Sequence, residues 1–207
     1  LPVSLKGRQW YERTSFRYIN HRWLGFGVSG GAITNPDFKD LLQFEVNSGR
    51  YIDKFNYLQI SAGIGKMDIK GSSKLNQIAK KEINIYSVSL EFKSSIPTEY
   101  DGLIKYFLLG VGLDYFCWDY KTPIETGYYE YPYSGMVIDK IEDDKVGAID
   151  VHVGIGLNLA KTDAYQFLAE ITPGYYFPGL VTGNGLENQL INKSFYLKLR
   201  STVSFPY

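Results

Sequence analysis

The chain has few of the side chains that usually carry nucleophilic or metal chemistry. It contains two histidines, His21 and His152, and one cysteine, Cys117. A lipid-cutting site would need a His with a Ser and an acidic partner. His152 stands two residues after Asp150 in "VGAIDVHVGIGLNLA", amid glycines. It reads as a buried polar partner of Asp150, Glu170 or a neighbouring group. The sequence shows no GxSxG, HExxH, P-loop or dinucleotide fingerprint. Cys117 reads as a small hydrophobe. Glu142, Asp143 and Asp144 could hold a divalent cation, but an acidic trio in a loop is ordinarily solvated. No catalytic residue, metal site or cofactor is assigned.

What must position these residues is strand. In "VGAIDVHVGIGLNLA", Ile149, Val151, Val153, Ile155, Leu157 and Leu159 alternate with Asp150, His152, Gly154, Gly156 and Asn158. This period of two recurs about eight times, in "WLGFGVS", "LQFEVN", "YLQISAGIG", "YSVSLEFK", "FLLGVGLDYFCW", "AYQFLAEIT" and "FYLKLRSTVSF" besides the first. Helical spacing is absent, apart from a turn that "SSKLNQIAKKE" could form. The 207 residues suit one domain. With 22 basic and 22 acidic residues the net charge is zero, which gives no field to recruit nucleic acid. No apolar run is long enough for a transmembrane helix. The chain opens "LPVSLKGRQW", without Met or an apolar signal stretch, as a mature secreted chain or a trimmed one would.

Two closed barrels fit the alternation. A soluble carrier of lipocalin type would turn the apolar face inward. A membrane barrel would turn it to lipid and line a narrow lumen with the polar face. The glycines favour the second. Gly25, Gly27, Gly63, Gly65, Gly110, Gly112, Gly154 and Gly156 all share the polar face. Glycine weakens a strand by about 0.5–1 kcal/mol relative to Ala, so a water-facing surface gains nothing from it. A crowded eight-stranded interior does need small residues. The same face carries Glu45, Glu91, Asp114, Asp150, His152, Glu170, Lys198 and Arg200, with Lys93 beside them, and opposite charges in a lumen can pair. Glu170 is expected to pair with Lys198 or Arg200.

The final stretch "LKLRSTVSFPY" ends in Tyr207, with Phe205, Val203, Leu199 and Leu197 on one face. It resembles the C-terminal assembly signal of bacterial outer-membrane barrels, departing at Ser201 and Pro206. With the eight alternating stretches, the chain is similar to the small OmpA/OmpX-type barrels from about Trp23 onward. The resemblance implies an all-β, closed, antiparallel up-and-down transmembrane β-barrel of about eight strands in the bacterial outer membrane. It also implies contact with lipopolysaccharide and with the barrel-assembly machinery, through Leu199, Val203, Phe205 and Tyr207. Residues 1–21 are expected to form a periplasmic or interfacial segment, and residues 22–207 the barrel. Long loops are expected near 67–81, 119–145 and 178–192, with shorter turns at the other end, as is usual for such barrels. Ten strands would result if the segment from Tyr128 to Ile141 joined the sheet.

Four functions from different classes remain. A non-enzymatic barrel would act as anchor, adhesin or complex-forming component through its loops. There Tyr128, Tyr129, Tyr131 and Tyr133 would offer amphipathic contact area and bind a protein partner. The alternatives are a lipid A- or phospholipid-modifying enzyme, a small channel and a soluble carrier. The channel is disfavoured by a charge-filled lumen.

Overall fold

The computed structural model describes residues 22–34, 38–53, 55–69, 82–96, 104–124, 138–161, 164–181 and 194–206. Eight strands form: β1 (Arg22–Ile33), β2 (Phe38–Tyr51), β3 (Asn56–Ile69), β4 (Glu82–Ser95), β5 (Tyr106–Ile124), β6 (Ile138–Lys161), β7 (Gln166–Val181) and β8 (Phe195–Pro206). Each pairs antiparallel with the next, and β8 closes on β1. Closure leaves no sheet edge, so every strand has a partner on both sides. Lipid demands this, because it offers backbone groups no hydrogen bonds.

The alternation resolves into two faces. Phe26, Val28, Phe44, Ile60, Val88, Leu109, Val111, Val153 and Leu199 point outward, while Glu45, Glu91, Asp150, His152, Glu170 and Arg200 are buried within. On β5 the outward apolar run extends from Phe107 to Tyr115. That matches the roughly 9–11 residues a tilted strand needs to cross a bilayer. Side chains so apolar, facing away from a filled barrel, have lipid as their solvent.

Beyond this band, at the end away from the termini, the polarity inverts. Lys66, Asp68, Glu82 and Asn84 face outward, and Lys66 Nζ lies 2.8 Å from Glu82 Oε2. Leu41, Met67, Ile83, Ile85, Phe116, Trp118, Val146 and Ala148 pack inside as an apolar core. The strands here leave lipid for water, and the faces exchange roles. This inversion corrects the expected loop bounds. β3 continues to Ile69 and β4 starts at Glu82. β5 and β6 stay paired from Tyr106↔Gly156 out to Ile124↔Ile138, and β7 reaches Val181. The residues between β5 and β6 are therefore 125–137. The ten-strand alternative is also set aside, because residues 138–141 extend β6. The tyrosines from Tyr128 to Tyr133, the segment 1–21, Tyr207 and the stretch with the expected helical turn lie outside the described residues.

The connections follow the membrane-barrel habit with two exceptions, the short 34–37 at the far end being one. At the end carrying the termini, the turns 52–55 and 162–165 are short, whereas 96–105 is longer. Asp53 closes the first of these. Its carboxylate accepts hydrogen bonds from Asn56 Nδ2 (2.8 Å), Phe55 N (2.7 Å) and Asn56 N (2.8 Å). These bonds, that of the Asn56 side chain foremost, hold the Asp53 carboxyl below its ordinary range.

The assignment of faces has a direct consequence at Val153, which is 52% exposed. Val153→Arg should destabilise the barrel in lipid by about 2–4 kcal/mol, as for a charge near the midplane. The thermal conversion of the folded to the unfolded gel band measures this. An unchanged midpoint would mean that the residue faces water.

Candidate functional site: the charged lumen

The lumen is stacked in three layers. Aromatic rings close the end carrying the termini, ion pairs fill the middle, and the apolar core described above closes the far end.

The aromatic layer comes from Trp23, Tyr51, Tyr57 and Tyr106. Ring centroids lie 5.3 Å apart for Trp23–Tyr51, 5.2 Å for Trp23–Tyr57 and 5.9 Å for Tyr57–Tyr106, mostly edge to face, the geometry that aromatic quadrupoles favour. Gly156 sits directly across from Tyr106 on the neighbouring strand. A Cβ there would fall within 1.9 Å of the Tyr106 ring, so only glycine lets this tyrosine lie across the lumen.

The middle layer centres on Arg200 of β8. Its Nε donates to Glu170 Oε2 at 2.5 Å. Nη1 and Nη2 reach Glu91 Oε1 and Oε2 at 2.6 and 2.7 Å, a bidentate fork, and Nη1 also reaches Glu45 Oε2 at 3.1 Å. One guanidinium thus ties β8 to β7, β4 and β2. Only the planar five-donor fork of arginine does this. Lys93 of β4 forms the second hub, 2.5 Å from Glu170 Oε1 and 3.1 Å from Glu91 Oε2, and donates to Gln59 Oε1 at 3.0 Å. Glu170 Oε1 also accepts the Tyr106 hydroxyl, which links this layer to the aromatic one. Ser29 Oγ donates to Glu45 Oε1 at 2.6 Å.

His152 Nδ1 lies 2.6 Å from Asp150 Oδ2, and Nε2 lies 3.5 Å from Glu91 Oε1. Asp150 Oδ1 accepts the Tyr196 hydroxyl, and Tyr176 hydrogen-bonds Asp114. The imidazole is enclosed by these partners and by Gly110, where a Cβ would fall 2.1 Å from Nε2. It does not reach the lipid-facing surface.

The eight residues singled out on the polar face all line the interior, and the structure joins Glu45, Glu91, Asp150, His152, Glu170 and Arg200 in one network. Asp114 is buried against Tyr176. Lys198 is more peripheral: its Nζ is 3.9 Å from Glu45 Oε1 and 5.8 Å from the Tyr196 ring centre. Between the two bases expected for Glu170, the geometry selects Arg200, and it adds Lys93. Sequence reasoning put Lys93 on the lumen face among the charges that can pair but did not give it Glu170 as partner, and it missed Gln59, Tyr106, Tyr176 and Tyr196. The readable signal for Tyr106 was a large residue facing a glycine in the paired strand. Leu199, Val203 and Phe205 lie on the outer face of β8, opposite Gly30, Phe26 and Leu24 of β1.

Chemically this interior is a plug. The cavity among Glu45, Glu91, Asp114, His152, Lys198 and Arg200 measures about 20 Å³, room for roughly one water. Among the described residues, no three His, Cys, Asp or Glu side chains converge as metal ligands.

A closed eight-stranded barrel with an outward apolar band and a charge-filled lumen is an outer-membrane-type β-barrel. No family model matches the chain, and no curated protein sequence does. Solved structures do match in fold. Ail, the attachment invasion locus protein of Yersinia pestis, aligns at a TM-score of 0.50 and 10% identity, over 91% of this chain and 99% of that one. A major outer membrane protein of Thermus thermophilus aligns at a TM-score of 0.52 and 12% identity, over 89% and 99%. The likeness is one of architecture: the chain has the fold of the small OmpA/OmpX-type barrels.

Removing one member of a buried pair strands the other charge, at about 3–5 kcal/mol. Glu170→Gln should therefore lower the melting midpoint of the folded band strongly. Lys198→Met should cost less than Glu170→Gln, because the Lys198 ammonium makes only a long contact, 3.9 Å, with Glu45. Adding Lys93→Met to Glu170→Gln should recover part of the loss, and adding Lys198→Met should not. Recovery by Lys198→Met instead would show that Glu170 pairs with that lysine.

Proposed function

We propose that this protein is a non-enzymatic outer-membrane barrel that serves as an anchor, adhesin or complex-forming component through the loops at its far end. The observation that carries this reading is the sealed lumen. Among the described residues, rings, ion pairs and an apolar core fill its length, which argues against a channel and against a carried ligand. The buried His152 supports it too, because a lipid-cutting histidine must reach the acyl chains. The β5–β6 hairpin rises well past the apolar band and bears the Tyr-rich connection that the sequence marks as a contact surface. Lipopolysaccharide at the outer rim, the assembly machinery and a protein partner at the loops are the partners this reading calls for. The likeness to an attachment protein is a likeness of fold, and the adhesin reading rests on the hairpin and the plug.

Two measurements test the reading together. Planar bilayers containing the purified barrel should show no discrete conductance steps. Mass spectra of lipid A and phospholipids should be identical in cells with and without the protein. An acylation state that depends on the protein and disappears in His152→Ala would establish the enzyme instead. Steady ion conductance would establish the channel.

A further inference from the structure

At the end carrying the termini, the outer face of the barrel places two arginines side by side. Arg22 of β1 and Arg50 of β2 are directly opposite in the register Arg22↔Arg50, and both are exposed. Residues so paired have Cα atoms about 4.5–5.5 Å apart. Like charges in that position repel and destabilise the pair of strands. Neither arginine has an ion-pair partner among the described residues. The outward residues around them are Leu24, Ser48, Leu58 and Phe205, none of them acidic. The one acid of the adjoining turn, Asp53, already accepts three hydrogen bonds from Phe55 and Asn56.

Position gives the pair its meaning. Leu24 and Leu58 begin the apolar band immediately next to Arg22 and Arg50, so the two guanidiniums stand at the lipid boundary, at headgroup depth. Short turns mark this end as the periplasmic one. Guanidinium forks match phosphate geometry and bind it bidentately. An anion between the two arginines would convert a repulsion into two charge-assisted contacts.

We propose that Arg22 and Arg50 form a headgroup site for one anionic glycerophospholipid of the periplasmic leaflet, with the phosphate bridging both guanidiniums and the acyl chains lying along Leu24 and Leu58. The site rests on the membrane-barrel reading and adds a specific lipid to it. Its occupancy offsets the cost of the facing arginines and fixes the depth of this edge of the barrel.

The test uses the whole chain, refolded in phosphatidylcholine nanodiscs. A heat-modifiable gel band in that lipid reports the barrel itself, independently of the site. Phosphatidylglycerol is then titrated in, and retained lipid is counted by native mass spectrometry. One phosphatidylglycerol should remain bound per barrel. Its affinity should fall about tenfold in Arg22→Gln or Arg50→Gln, as for one lost charge-assisted hydrogen bond, and further in the double variant. Lys66→Gln, at the far end, should leave it unchanged. Equal retention of phosphatidylglycerol by the double variant, or of phosphatidylcholine by the native chain, would overturn the site while leaving the barrel standing. Failure to insert into phosphatidylcholine at all would instead contradict the membrane reading.

Discussion

One guanidinium organises the interior of this barrel. Arg200 contacts Glu45, Glu91 and Glu170, carboxylates from three other strands, at or near full burial. An eight-stranded barrel is only just wide enough for its side chains to fill. In lipid it cannot turn an apolar face inward and still satisfy its surroundings, so the filling must be polar and internally paired. Uncompensated charge in such a space costs several kcal/mol per ion. The placing of Glu45, Glu91 and Glu170 within reach of Arg200 or Lys93 follows from that cost. Tyr106, through Glu170, extends the network to the aromatic layer, and Tyr196, through Asp150, extends it to the far core.

The same filling decides what the protein can do. Among the described residues, rings pack the lumen at one end and Met67, Ile83, Phe116 and Trp118 pack it at the other, which is the basis of the proposed role at the rims. Arg22 and Arg50 mark one rim, and the tall β5–β6 hairpin rises from the other. Stability and function are thereby separated. The barrel interior holds the scaffold together, and under the proposed function contact with partners falls to the parts that leave the membrane.

Much of the architecture was legible in the sequence, because a period of two assigns each residue to a face once a strand is recognised. Eight glycines gathered on the polar face identified that face as the crowded one. Two things were not legible. The first was reach across the lumen. Lys93 and Glu170 sit on β4 and β7, which are not neighbours, and alternation gives a side chain its face but not its partner on the opposite wall. The second was the length of the strands. Past the bilayer, outward residues such as Lys66 and Asn84 are polar and inward ones such as Met67 and Ile85 are apolar. The apolar-out pattern stops there although the strands continue, so alternation alone puts loops where β3 to β6 still pair.

This reversal of faces along a single strand is the central claim, and β4 holds both halves of it. Spin labels placed singly at Val88, Leu90, Asn84 and Ile83 in bilayer-reconstituted protein test it directly, by collision with oxygen, which partitions into lipid, and with a water-soluble nickel chelate. Val88 and Leu90 should collide with oxygen, Asn84 with the chelate, and the buried Ile83 with neither. Access of the chelate to Val88 and Leu90, with Asn84 shielded from it, would contradict the account.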